Sequence, residues 1–162
     1  MTAMRFALLA VDGVEYAVDS SWVRRSLPAP HPLPAAIVHG GAAFQVIDLQ
    51  QLFGLAAGSG ASHPATTAPG PERLILLVEQ PLAEAAPAAA AAVHRVALVV
   101  DDLLGLEPLA AGDAVPLPSV YRGPERRWFR GVVPRADGRI IVLLRPHGLS
   151  PAATQPPGGA GC

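Results

Sequence analysis

Short runs of β-branched and leucine-rich residues, each cut off by a glycine-bearing turn, constrain this chain more than any other feature. Arg5–Val11 and Val14–Asp19 are separated only by Asp12-Gly13. A two-residue connection of that kind is a type I′ turn, which needs φ > 0 at both central positions and so selects Asp-Gly. His39-Gly40-Gly41 reads as a second turn, between Ala36–Val38 and Ala43–Leu49, and Ala136-Asp137-Gly138 as a third, between Trp128–Pro134 and Arg139–Leu144. Arg73–Glu79 and His94–Val100 add two apolar strands, and Asp102–Leu109 another that Gly105 is expected to break. Many short strands with regular turns and few helices indicate an all-β architecture of small barrels or a sandwich.

Helical signals are sparse. Ser20 or Ser21 is placed to cap a turn through Trp22–Arg25. Pro28, Pro30, Pro32 and Pro34 then force extended chain. Asp48–Gly54 reads as a short helix with Gly54 at its stop. Composition enters because alanine (30), glycine (16) and proline (18) fill 64 of the 162 positions, so the hydrophobic fraction of 51% overstates the core. The excess collects in Ala56–Pro71, expected to be a flexible loop, in Pro81–Ala92, a long hairpin loop or scrap of helix, and after Ser150, expected to be a disordered tail. The remainder suffices for one domain, or two subdomains sharing a core.

The chemistry-bearing residues do not assemble into a catalytic set. Nucleophilic catalysis needs a nucleophile beside an oriented base, and no Gly-x-Ser-x-Gly elbow exists. His39-Gly40-Gly41 loosely resembles an oxyanion-hole turn but reads more simply as a hairpin. The five histidines are scattered, and one cysteine, Cys162, excludes a disulfide framework and a multi-cysteine metal site. Asp101 and Asp102 are strand neighbours pointing to opposite faces. Glycine clusters near 58–60 and 158–161 lack a following helix, so no phosphate loop forms. No enzyme, metal or cofactor is expected.

Charge is uneven. All twelve basic residues are arginine; residues 1–121 carry five against eleven acids, residues 122–162 seven against two. Arg122, Arg126, Arg127 and Arg130, interleaved with Tyr121, Trp128 and Phe129, have the composition of a single-strand stacking groove. Against that, Trp128 and Phe129 open a strand, so at least one ring is expected in the core, and Glu125 interrupts the cluster. The favoured reading is a solvated or protein-facing patch, with no nucleic-acid partner. No apolar run approaches the ~20 residues that span a bilayer, and the six-residue run Phe6–Val11 is short for a signal peptide, with Asp12 and Glu15 following at once. A cytoplasmic protein with no membrane insertion is expected.

The order of elements resembles the CheW-like domain, the non-catalytic adaptor of bacterial chemosensory arrays. The carrying residues are Phe6–Val11 followed by Glu15-Tyr16-Ala17-Val18-Asp19; Phe44-Gln45-Val46-Ile47-Asp48-Leu49; Arg95–Asp101; and Trp128–Val133 with Asp137–Leu144. The resemblance covers about residues 5–149. It implies two intertwined five-stranded SH3-like barrels around a shared hydrophobic centre. The expected division places 1–55 and 140–149 in one subdomain and 72–139 in the other, with 56–71 as loop and 150–162 as tail. It further implies two partners, the regulatory domain of a histidine kinase and the hairpin tip of a chemoreceptor. The receptor groove would involve Val23, Leu74, Ala97 and Leu106, with Arg25 and Ser26 on its rim, and the partner-facing turn would be His39, Gly40 and Gly41. For Leu74 and Leu106 plain barrel core is an equal reading.

Several residues depart from the family pattern. Val23-Arg24-Arg25-Ser26 stands where the family has Val-x-Glu-Ile, reversing a charge at Arg25. Val38-His39-Gly40-Gly41 replaces Asn-Leu-Arg-Gly and loses an arginine. Gln45 replaces a proline, and Arg145 follows Leu144 where aspartate is common. Juxtaposed like charges cost several kcal/mol, so a reversed rim charge changes which partner is tolerated. A divergent adaptor is therefore expected, in a chemotaxis or type IV pilus array. Two alternatives remain open: a degenerate member that caps arrays by keeping one interface, and a nucleic-acid-binding barrel using Tyr121–Arg130.

Overall fold

The computed structural model describes residues 4–56, 72–82, 93–119, 123 and 125–149. The calls on the 57–71 loop, the segment 83–92 and the tail from 150 therefore lie outside the described residues. Ten strands form two five-stranded curled sheets. The first contains β1 (Met4–Val11), β2 (Val14–Asp19), β8 (Asp102–Leu109), β9 (Phe129–Pro134) and β10 (Ile140–Leu144), in the order β8-β1-β2-β10-β9. The second contains β3 (Val23–Pro28), β4 (Ala36–His39), β5 (Ala42–Asp48), β6 (Leu74–Pro81) and β7 (Val93–Val100), in the order β3-β6-β7-β5-β4. The chain begins in one unit, builds the whole of the other, and returns, so the two barrel-like units are intertwined.

The sheets cut the chain differently from the expected division. Residues 23–48 belong with 74–100, and 102–144 returns to the first sheet. Two parallel pairings decide this, β5 with β7 and β2 with β10. Each joins strands far apart in sequence, which no local turn signal encodes.

Turn chemistry governs the hairpins. Asp12 and Gly13 adopt φ of 50° and 75°, and Gly40 and Gly41 of 58° and 78°, as type I′ turns require. Gly105, expected to break a strand, instead sits in a bulge of continuous β8: Leu8 pairs with Gly105 and Leu9 with Leu103, leaving Leu104 as the extra residue. The helical turn expected through Arg25 stops at Trp22. A 3-10 turn, Ser20–Trp22, is capped by Asp19 rather than by a serine, and Val23–Pro28 pairs with β6 as a strand. Trp128 closes a four-residue helix, α2 (Glu125–Trp128), rather than opening β9.

The helix after β5, α1 (Leu49–Ala56), runs through Gly54 instead of ending there. Asp48 starts it, its Oδ1 accepting from the N–H groups of Gln50 (3.1 Å) and Gln51 (3.4 Å).

Three apolar clusters fill the interior. The shared one draws Leu9, Tyr16 and Val18 from the first sheet and Leu76, Val96 and Leu98 from the second, with Trp128 and Leu149. Each sheet also has its own: Phe6, Leu8, Ile141 and Leu143 in the first, Phe44, Ile75, Leu77 and Val99 in the second. Tyr16 stacks on Phe53 (5.0 Å) and Phe129 (6.1 Å), and Phe53 lies 5.7 Å from Trp128. Burial, and secondarily the charge of Asp12, push the Tyr16 hydroxyl above its usual pKa.

Candidate functional site

The residues expected to bind partners fall on sheet edges and in cores, and the structure does not bring all of them together. β3 is an edge strand. Its register skips from Val23↔Val78 to Arg25↔Leu77, so Arg24 is bulged out, its guanidinium 3.2 Å from Glu79 Oε2. Val23 is half-buried against the shared core, whereas Arg25 and Ser26 are exposed. Leu74 is also half-buried against that core, but it pairs with Pro28 at the other end of the β3–β6 ladder. At about 3.4 Å per residue the two contacts are on the order of 14 Å apart.

Ala97 does not line an open surface. It has no solvent exposure and packs with Phe44, Ile75 and Leu77 inside the second sheet. An inward-facing alanine in a β-branched strand reads alike for core and groove floor, and here it is core. Leu106 is the opposite case, 62% exposed on β8, the edge of the first sheet. Beside it the bulged Leu104 is 47% exposed, a residue the sequence reading did not single out. Its signal was available: Leu103 and Leu104 are consecutive, and neighbouring strand residues point to opposite faces.

His39, Gly40 and Gly41 form the tip of the β4–β5 hairpin at the far edge of the second sheet. His39 is half-buried, and the neighbouring Val38 is 73% exposed. Two of the four sheet edges, β8 and β4, thus each lack a further strand partner among the described residues and carry exposed aliphatic side chains, a combination typical of association surfaces.

A polar junction holds the sheets in register. Arg73 makes a two-pronged contact with Asp48, Nη1–Oδ2 2.8 Å and Nη2–Oδ1 2.6 Å, and its Nε lies 3.5 Å from Asp101 Oδ1. That last approach is an ion pair rather than a hydrogen bond. Asp101 occupies the one-residue crossover between β7 and β8; its N–H donates to the Ala10 carbonyl (2.9 Å) and its Oδ2 accepts from the Asp12 N–H (2.7 Å). The hydrogen bonds to Asp48 raise the Arg73 pKa further. These carboxylates are engaged with arginine and backbone, and among the described residues no group of three or more His, Cys, Asp or Glu is gathered that could hold a metal ion.

The aromatic residues of the arginine-rich segment are committed elsewhere. Trp128 is 2% exposed and Phe129 half-buried, both in the shared aromatic stack. The buried Trp128 ring therefore offers no face for a base to stack on. Tyr121 and Arg122 lie outside the described residues. No helix of the described residues is long and apolar enough to cross a membrane.

A family model described as the CheW-like domain matches residues 5–153. No curated protein matches the sequence. Among solved structures, the scaffolding protein TtCheW from Thermoanaerobacter tengcongensis superposes with a TM-score of 0.59 at 18% identity, over 89% of this chain and 90% of that one. At that identity the likeness establishes the fold of two barrel-like units. The family match spans nearly all the described strands, and on it this chain belongs to the CheW-like domain family.

Proposed function

We propose that this protein is a non-catalytic cytoplasmic adaptor that couples chemoreceptors to a chemosensory histidine kinase. The observation that carries the reading is the pair of separate, unpaired sheet edges bearing exposed aliphatic residues, Leu104 and Leu106 on β8 and Val38 on the β4–β5 hairpin. An adaptor needs two surfaces that bind at once, and these lie on different sheets. Membership of the CheW-like family, and a fold shared with the scaffolding protein TtCheW, support the same reading. The receptor side is assigned to β8 with the exposed rim of β3, where an amphipathic helix would lay its apolar stripe against Leu104 and Leu106. Val23 and Leu74 contribute through the shared cluster they pack against, and Ala97 acts only through packing. The kinase side is assigned to the turn His39, Gly40 and Gly41.

The test measures the two interactions separately, with the kinase regulatory domain and with a receptor hairpin fragment. L104S/L106S is expected to weaken receptor binding at least tenfold and leave kinase binding unchanged. Absence of both interactions in the wild-type protein overturns the reading. The array-capping alternative is favoured by one feature, the missing arginine at the Gly40 turn, and it requires that only one of the two bindings be found.

A further inference from the structure

A cleft of about 220 Å3 opens where the ends of both sheets meet the C-terminal 3-10 turn, and its polar lining is Asp19, Gln80, Arg130, Arg145 and His147, with Trp22 as one wall. We propose that this cleft binds an oxyanion, a carboxylate or phosphate group, between Arg130 and Arg145. None of the residues assigned above to receptor or kinase lines it.

Both lining arginines stand at irregular points of the backbone. The β9–β10 register passes from Gly131↔Leu143 to Phe129↔Leu144, so Arg130 is the extra residue of a bulge. Bulges turn a side chain away from the direction the strand would give it. Arg145 follows directly after β10, its N–H bonded to the Trp128 carbonyl at 2.6 Å. The next turn is pinned by the His147 N–H, which donates to Gln80 Oε1 at 2.9 Å. The frame around the cleft is thus fixed by hydrogen bonds from backbone N–H groups, to a carbonyl and to the Gln80 side chain, rather than by the arginine side chains.

Charge points to the occupant. Arg24, Arg73, Arg95, Arg135 and Arg139 are all paired with carboxylates. Arg130 and Arg145 have no ion-pair partner among the described residues, yet they line one cleft. Among the described residues the only acid in its lining is Asp19, and its Oδ1 is occupied by the Ser21 N–H (2.9 Å) and hydroxyl (2.7 Å). Both arginines line this one cleft, and a guanidinium fork matches the bidentate geometry of a carboxylate or phosphate. The volume is below the ~300 Å3 at which drug-sized pockets begin, so the group is a small anion or the end of one acidic side chain.

Full-length protein labelled with 15N, titrated at constant ionic strength, tests this with two probes: inorganic phosphate, and a hexapeptide carrying one glutamate. Saturable shifts of the Trp22 indole N–H and of the Arg130 and Arg145 Nε–H are expected. Saturation by phosphate alone assigns a free anion; saturation by the peptide at tenfold lower concentration assigns an acidic side chain of a protein partner. R130Q/R145Q should weaken binding at least tenfold. R130K/R145K, which keeps charge but loses the fork, should weaken it less. R127Q, an exposed arginine outside the cleft, should leave it unchanged. Non-saturating shifts with both probes, shifts that survive R130Q/R145Q, or an equal loss in R127Q would overturn the proposal.

Discussion

Asp48 ends β5 and begins α1 with one side chain that also clamps Arg73 at the sheet junction. Burial would raise its carboxyl pKa, but the hydrogen bonds and charge of Arg73, with the Gln50 and Gln51 N–H groups, outweigh that and hold it below the ordinary 3.8. A carboxyl whose folded-state pKa is depressed adds stability that is fully present above its unfolded value and is lost as pH falls through the folded one. The wild-type protein should therefore lose this contribution only below about pH 4. D48A removes both the cap, worth about 1 kcal/mol, and the charge-assisted bonds, worth about 1.5–3 kcal/mol, so a loss of roughly 2–4 kcal/mol is expected at pH 7. D48N keeps an acceptor for the cap and should cost less. Urea titrations at pH 7 and pH 3 check both points: the difference between wild type and D48N must shrink at the lower pH. A difference that stays constant would show that the ion pair contributes nothing.

At the scale of elements, two glycines that look alike in the sequence have opposite roles. Gly54 lies inside α1 with open space where a Cβ would be, so G54A is expected to stabilise the protein by about 0.5–1 kcal/mol. Gly131 lies on β9, where a Cβ would sit 2.7 Å from the Val115 carbonyl oxygen. That oxygen accepts from the Val132 N–H at 2.9 Å, and the Val115 N–H returns a bond of 2.8 Å. G131A must push this bridge apart and is expected to cost about 1–3 kcal/mol. Thermal melts of the two variants should move in opposite directions. Reading Gly54 as a helix stop failed because a glycine signals a stop only where the chain needs φ > 0, and here the helix continues. The hairpin turns were legible for the converse reason, since Asp12-Gly13 and Gly40-Gly41 do need it. The helical turn was correct only as far as Trp22; Val23–Arg25 is extended because it pairs with β6, which no local propensity reveals. The same limit governs the residues expected to bind partners. Alternation marks Leu106 and Ala97 equally as strand residues, and only the sheet order shows that one lies on a free edge and the other inside. The electrostatic junction was missed altogether, because Asp12, Asp48, Arg73 and Asp101 become neighbours only after β5 pairs with β7.

At the scale of the whole molecule, the shared cluster determines whether the two units unfold together. Leu98 on β7 is fully buried and pairs with Leu76 and Ile47 in its own sheet, yet it packs in the cluster that holds Leu9, Tyr16 and Val18 of the other. The crossings reinforce this, since Asp101 alone separates β7 from β8 and is tied to both Ala10 and Asp12. Neither sheet can lose its inner face without exposing the other's, so unfolding is expected to be a single transition. L98A should lower its free energy by about 2–5 kcal/mol, the range for emptying a buried leucine site. L143A, in the first sheet's own core, should lower the same single transition rather than split it. Far-UV circular dichroism follows both sheets, and tryptophan fluorescence follows Trp22 and Trp128, which pack against the shared cluster. The two signals should coincide across the urea transition in wild type and in both variants. If L143A instead produced two separated transitions, the first sheet would be unfolding alone, and the shared cluster would not be what couples the β8 edge to the β4 edge.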